Sequence, residues 1–191
     1  KLPTKLRYLN VNYSSTALSE IDYTPLGQFD LRVLVLRTSG SLDTRLISKN
    51  KHLRHLNLSG GGLANTNALA SLTELRELDL SFCMKLKNIE FVRGMKQLEW
   101  LDLWYSGVTD LSPLGGLPKL QRVNAYITPV SKLPMQRMPA LLELQVMCTK
   151  LDAKAVQAFR KTNPKCRVKH KWNEELQANL KGVNRISVSP Q

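Results

Sequence analysis

Acidic residues are scarce in this chain: 15 Asp and Glu stand against 28 Lys and Arg, giving a formal charge of +13 over 191 residues. Such a balance bears on partners rather than on fold, and it favours something anionic, an acidic protein or RNA. Cysteine is scarce too. Cys83, Cys148 and Cys166 are odd in number and far apart, which excludes a paired disulfide framework and a thiolate metal site. Three unpaired thiols fit an intracellular, reducing compartment better than secretion. Histidine numbers only 3, and His52, His55 and His170 show no metal-ligand spacing, so neither metal nor cofactor is expected. No apolar run approaches the roughly 18 residues of a membrane helix, so no span is expected. No signal-like segment opens the chain. Aromatic residues make up 6% of the sequence, so any cluster of them carries information.

Leucine, by contrast, recurs at fixed spacing. An apolar residue is followed by another three positions on and a third two further, as in Leu6-Leu9-Val11, Leu31-Leu34-Leu36, Leu53-Leu56-Leu58, Leu75-Leu78-Leu80, Leu98-Leu101-Leu103, Leu120-Val123-Ala125 and Leu141-Leu144-Val146. Successive first residues lie 25, 22, 22, 23, 22 and 21 positions apart. That period suits one short strand plus a return segment per coil, stacked into a solenoid. One domain of this length can bury a continuous core.

The Leu-x-x-Leu-x-Leu pattern resembles the leucine-rich repeat family from about Leu6 to Val146. The segment Val108-Thr-Asp-Leu111-Ser-Pro-Leu114-Gly-Gly-Leu117 resembles the short-repeat, internalin-like subclass. The resemblance implies an α/β solenoid, or horseshoe, of about seven coils, with short parallel strands inside and turns or 3₁₀ segments on the convex side. It also implies a binding function rather than catalysis. One departure is the ninth column, often Asn in the family, which reads Ser14, Ser39, Gly61, Cys83, Ser106, Thr128 and Thr149. Hydroxyl and thiol donors can still serve a buried turn carbonyl. Gly61 breaks that ladder, and a looser turn is expected there.

Along the chain, Lys1 to Lys5 are too few to cap the first coil, so upstream chain or a neighbouring subunit is expected to cover Leu6-Leu9-Val11. The return segment after Ser14, which carries Pro25, reads as a bulged loop. Gly60-Gly61-Gly62 lacks the Gly-Lys-Ser/Thr of a phosphate loop and reads as a tight strand exit. Ser112-Pro113 reads as an N-cap followed by Pro in the first helical position. After Val146, Asp152 should cap a helix over 153–162, stopped by Asn163-Pro164, with Ala155, Val156 and Phe159 facing the last coil. A final edge strand over 166–169 should follow. The leucine-rich repeat domain with its cap then spans 1–170, with repeats over 6–151 and the cap over 152–170. A tail, 171–191, carries a short amphipathic pattern from Asn173 to Lys181 and then an extended segment.

Side chains alternate along a strand, so residues between the repeat leucines form columns on the concave face. Trp100, Trp104, Tyr105 and Tyr126 fall on two adjacent coils, with Arg122 beside them and Phe82 one coil before. Trp, Tyr and Arg dominate interface energetics, so this patch is the candidate protein-binding anchor. Packing under the tail is the rival reading. A second feature is the row Arg7, Arg32, Arg54 and Arg76. Like charges about 5 Å apart repel by roughly 0.8 kcal/mol even in water, so the row needs counter-charges, with Glu74 and Glu77 as candidates, or an external anion. Between Thr149 and Lys171 eight basic residues, including Lys161, Lys165, Arg167 and Lys169, face only Asp152. Asp79 and Asp102 could be mistaken for a catalytic pair. They lack a nucleophile and continue a column with Asn57 and Asn124, so a solvated polar ladder is expected. The leading function is a non-enzymatic interaction module, a subunit or scaffold of a larger assembly. The alternative is an RNA or ribonucleoprotein subunit held by the basic cap and arginine row.

Overall fold

The computed structural model describes residues 6–12, 22–37 and 40–170. Each leucine triplet delivers one strand to a single parallel sheet: β1 (Tyr8–Asn12), β2 (Val33–Arg37), β4 (His55–Asn57), β6 (Glu77–Asp79), β7 (Trp100–Asp102), β8 (Arg122–Asn124) and β9 (Glu143–Gln145). β10 (Arg167–Lys169) closes it, and the eight strands lie in chain order. Register follows the triplets: Leu34, Leu56, Leu78, Leu101, Val123, Leu144 and Val168 are partners in succession. Because alternate residues face opposite sides, this register stacks the leucines inward, where Leu78, Leu101 and Leu103 have no exposed surface.

Short 3₁₀ segments at Thr24–Gln28, Thr44–Leu46, Thr66–Ser71, Glu90–Gly94 and Ser112–Gly116 form the opposite side. They send Leu26, Leu69, Phe91, Val92 and Leu114 into the same core. Three residues per turn puts one inward residue on each turn, matching the spacing of Val108, Leu111, Leu114 and Leu117, all of them buried.

A small second sheet, absent from the sequence reading, pairs β3 (Ser41–Asp43) with β5 (Gly62–Ala64) in parallel. It overturns the expected looseness at Gly61. Gly60 adopts a left-handed backbone with φ 87°, its N–H donates to the Ser81 carbonyl, and the Gly62 N–H donates to the Gly40 carbonyl. The turn is therefore bonded to the coil on either side and is not loose.

Two buried asparagines tie distant segments together. Asn50 accepts from the Leu31 N–H at 3.0 Å and donates to the carbonyls of Leu26 and Ile47. Asn163 accepts from the Met138 N–H at 2.7 Å and donates to the Phe159 carbonyl. Asn163 therefore does more than stop the helix. That helix, α1 (Ala153–Thr162), starts at Asp152, whose carboxylate accepts from the Ala155 N–H at 2.6 Å. Val156 and Phe159 are buried and Ala155 packs beside them.

Two local expectations need correction. The 3₁₀ segment at Ser112–Gly116 is not capped by the Ser112 side chain; the Asp110 carboxylate accepts from the Ser112 N–H at 2.7 Å. Cys148 is exposed, standing one residue before the inward-facing Thr149. In the ninth column Thr128 and Thr149 donate to the carbonyls of Ala125 and Val146, while Cys83 reaches Leu58; Ser106 Oγ is buried without a partner among the described residues. Ser14, Ser39 and the pattern from Asn173 to Lys181 lie outside the described residues.

Candidate protein-binding face

The site is made where strands end. On four successive coils Asn57, Asp79, Asp102 and Asn124 turn a side-chain oxygen back onto the backbone N–H two residues later: Ser59 at 3.0 Å, Ser81 at 2.9 Å, Trp104 at 2.8 Å and Tyr126 at 3.2 Å. Short polar side chains do this readily, mimicking a backbone turn. The four also bond sideways, Asn57 to Asp79 at 2.6 Å and Asn124 to both oxygens of Asp102 at 3.2 and 3.1 Å. The column is thus a half-buried, hydrogen-bonded ladder and not a solvated one. Burial pushes the Asp102 carboxyl above its usual range, against the pull of the Trp104 N–H and the Asn124 amide.

Beyond each turn the chain enters the left-handed region at equivalent positions: Gly60, then Phe82 (φ 60°), Tyr105 (54°), Ile127 (53°) and Cys148 (55°). Only glycine sits there without steric cost; other residues are held at about 1–2 kcal/mol. The coil geometry imposes that backbone, through bonds such as Phe82 N–H to the Trp104 carbonyl at 2.7 Å and Tyr105 N–H to Tyr126 at 3.0 Å. Its effect is to turn the side chain outward while the next residue, such as Cys83 or Thr128, goes in.

The result is an exposed apolar corner. Phe82, Tyr105 and Ile127 are 41%, 43% and 37% exposed, Trp104 38% and Met84 60%. Phe82 packs edge-on to Trp104 with ring centroids 4.6 Å apart and lies 5.7 Å from Tyr105. Three of the expected anchors therefore form one cluster. Tyr126 follows Trp104 on the next coil, its backbone carbonyl bonded to Tyr105. Trp100 stands apart, at the other end of its strand, in register with Glu77 on one side and Arg122 on the other. Ile127 and Met84 escaped the sequence reading. The residue before each ninth-column position held the signal, since it reads Gly60, Phe82, Tyr105, Ile127, Cys148.

The arginine row stacks as its spacing requires, each backbone carbonyl accepting from the next coil. Its counter-charges differ from those expected. Arg7 pairs with Asp30, and Arg76 with Glu99 at 3.5 Å. Glu74 and Glu77 are engaged by His52 at 3.0 Å and His55 at 2.9 Å. Arg32 and Arg54 have no ion pair among the described residues. In the cap, Arg167 and Lys169 clamp Glu143 at 3.0 and 2.7 Å. The bond from Lys169, with Arg167 second, pulls the Glu143 carboxyl down to about 2. Lys161 and Lys165 remain exposed. Among the described residues no His, Cys, Asp and Glu group could hold a metal ion, and no helix is long and apolar enough to cross a membrane.

A leucine-rich repeat family model matches residues 49–66. The chain is similar to a solved leucine-rich repeat protein of Leptospira interrogans, at 25% identity over 75% of this chain and 38% of that one, with a TM-score of 0.68. It also resembles internalin C2 of Listeria monocytogenes (20% identity, 84% of this chain and 80% of that one, TM-score 0.56). The functional domain of InlJ from the same organism gives 20% identity over 88% and 44%, with a TM-score of 0.60. The chain thus spans about two fifths of the length of the Leptospira protein. No curated protein matches it.

Proposed function

We infer that this leucine-rich repeat solenoid is a non-enzymatic protein-interaction module, a subunit or scaffold within a larger assembly. The observation that carries this reading is the aromatic cluster of Phe82, Trp104 and Tyr105, set outside a core already filled by leucine. Aromatic side chains that a fold holds at its surface, on a backbone that costs energy to maintain, serve recognition better than they serve stability. Three free thiols favour a reducing compartment. The test is capture of partners from native extract by wild-type protein and by Trp104→Ala and Trp100→Ala variants, with folding checked by circular dichroism. Loss of the captured proteins by the Trp104→Ala variant, with its fold intact, supports the reading; unchanged capture by both variants refutes it.

A second reading, docking on RNA or a ribonucleoprotein, draws on Arg32, Arg54, Lys161 and Lys165, which have no ion pair among the described residues. Phosphate contacts release counterions and weaken steeply with salt. Partners lost on nuclease treatment and on modest salt would select this reading; partners surviving both would select the first.

A further inference from the structure

Phe82, Tyr105 and Ile127 belong to successive coils and share one backbone position, so they form a straight ridge running across the strands. Neighbouring coils stand about 4.8 Å apart. A partner lying along the ridge should therefore present one apolar group at about that interval. An α-helix does so, since its pitch is about 5.4 Å, and the mismatch over two steps is only about 1.2 Å. An extended strand presents same-face side chains about every 6.6 Å, and over the same two steps drifts by nearly 4 Å, most of a coil. Extended peptides are thus out of phase with the ridge by its third residue.

Charge selects among helices. The segments that follow Phe82 and Ile127 carry the exposed Lys85, Lys87 and Lys132, and Asp110, 3.8 Å from Lys132, is already bonded to the Ser112 N–H. Behind the ridge, Asp79 and Asp102 are occupied by the ladder. A basic border along an apolar stripe complements a helix with an apolar face and acidic flanks.

We propose that the ridge Phe82–Tyr105–Ile127 docks an acidic amphipathic α-helix of a partner protein, laid across the coils. This rests on the reading of the chain as a protein-interaction module and specifies the form of its partner. The backbone device serves it directly. A left-handed residue at each strand exit lifts its side chain clear of the sheet, and every coil contributes one contact to one turn of the helix.

The experiment pans a displayed random-peptide library against the whole chain. Variants Tyr105→Asp/Ile127→Asp and Trp100→Ala/Arg122→Ala then show where the enriched peptides bind. The expected enrichment is apolar residues at i, i+3, i+4 and i+7 with Asp and Glu on the flanks. Binding of those peptides should weaken about thirtyfold or more in the ridge variant and stay within about twofold in the Trp100→Ala/Arg122→Ala variant. Enrichment of basic or extended-pattern peptides, or of none, overturns the proposal. So does wild-type binding by the ridge variant. If that binding is instead abolished by Trp100→Ala/Arg122→Ala, the interaction function stands and its site moves to the strand face. Loss of extract capture only on nuclease treatment would instead remove the interaction reading itself.

Discussion

At the scale of single residues, the ladder side chains do two jobs that a substitution can separate. Asp102 offers an oxygen to the Trp104 N–H and another to Asn124, yet its burial makes the negative charge a cost, worsened by the neighbouring Asp79. Asparagine keeps the oxygen and removes the charge. Asp102→Asn is expected to leave stability unchanged or raise it by about 0.5–1 kcal/mol, whereas Asp102→Ala should cost about 1–2 kcal/mol by stranding its donors. Urea denaturation compares them, and equal losses would mean that the turn bond is immaterial. Glu143 presents the opposite sign. Its pKa falls from 4.5 to about 2 on folding, so its contribution is complete above about pH 4.5 and disappears as the pH drops towards 2. Its partners Arg167 and Lys169 are 71% and 41% exposed, which discounts the contribution to about 1 kcal/mol. Glu143→Gln should lower the urea midpoint at pH 7 and match wild type near pH 2; a pH-independent gap would assign the effect to packing.

At the scale of the element, each coil is a strand, a turn, an outward residue and an inward one, and the strand was legible because its burial has a strict two-residue period. The turn was less so. Asn57, Asp79, Asp102 and Asn124 were placed in one column from spacing alone, but their bonds to the backbone depend on where the strand stops, which hydrophobic spacing does not specify. The outward residue was partly legible. Phe82 and Tyr105 stood out as aromatics, while Ile127 resembled another core aliphatic, because sequence carries no direct mark of a left-handed backbone on a residue other than glycine or asparagine. The parallel pairing of β3 with β5 was invisible, since these two strands lie outside the leucine triplets whose recurrence along the chain made the other short strands readable. Tolerance at these turns can be tested at Gly107. A Cβ there would collide with the Met84 carbonyl and come within 2.9 Å of the Leu86 carbonyl, both fixed backbone atoms of the preceding coil. Gly107→Ala should therefore cost about 2–3 kcal/mol. A thermal melt that does not move would show that the two coils separate freely at this point.

At the scale of the whole molecule, stability is a sum over coils and their contacts with neighbours, and it is not uniform along the stack. The middle coils are sealed on both sides: the leucines of β6 and β7 are buried, and Leu72, Met95 and Leu117 close the core behind them. The far end is closed by α1, with Phe159 and Val156 buried, and by Asn163 tying the helix to Met138. The near end differs. Leu6, Leu9 and Val11 are only partly buried, and Tyr8 is 57% exposed. Among the described residues this coil packs only against β2 and is less buried than the coils that follow it. Local opening should start there and not at the helical end. Hydrogen exchange of the native protein should find the β1 amides exchanging by local fraying, at rates insensitive to mild denaturant. The amides of β6 to β8 should exchange only through global unfolding, with the full denaturant dependence. A partner or further chain covering Leu6, Leu9 and Val11 would slow β1 selectively and leave the centre unchanged. Uniform protection from β1 to β9 would instead mean that the solenoid unfolds as one unit, and that the half-buried first coil is held by the rest without any cover.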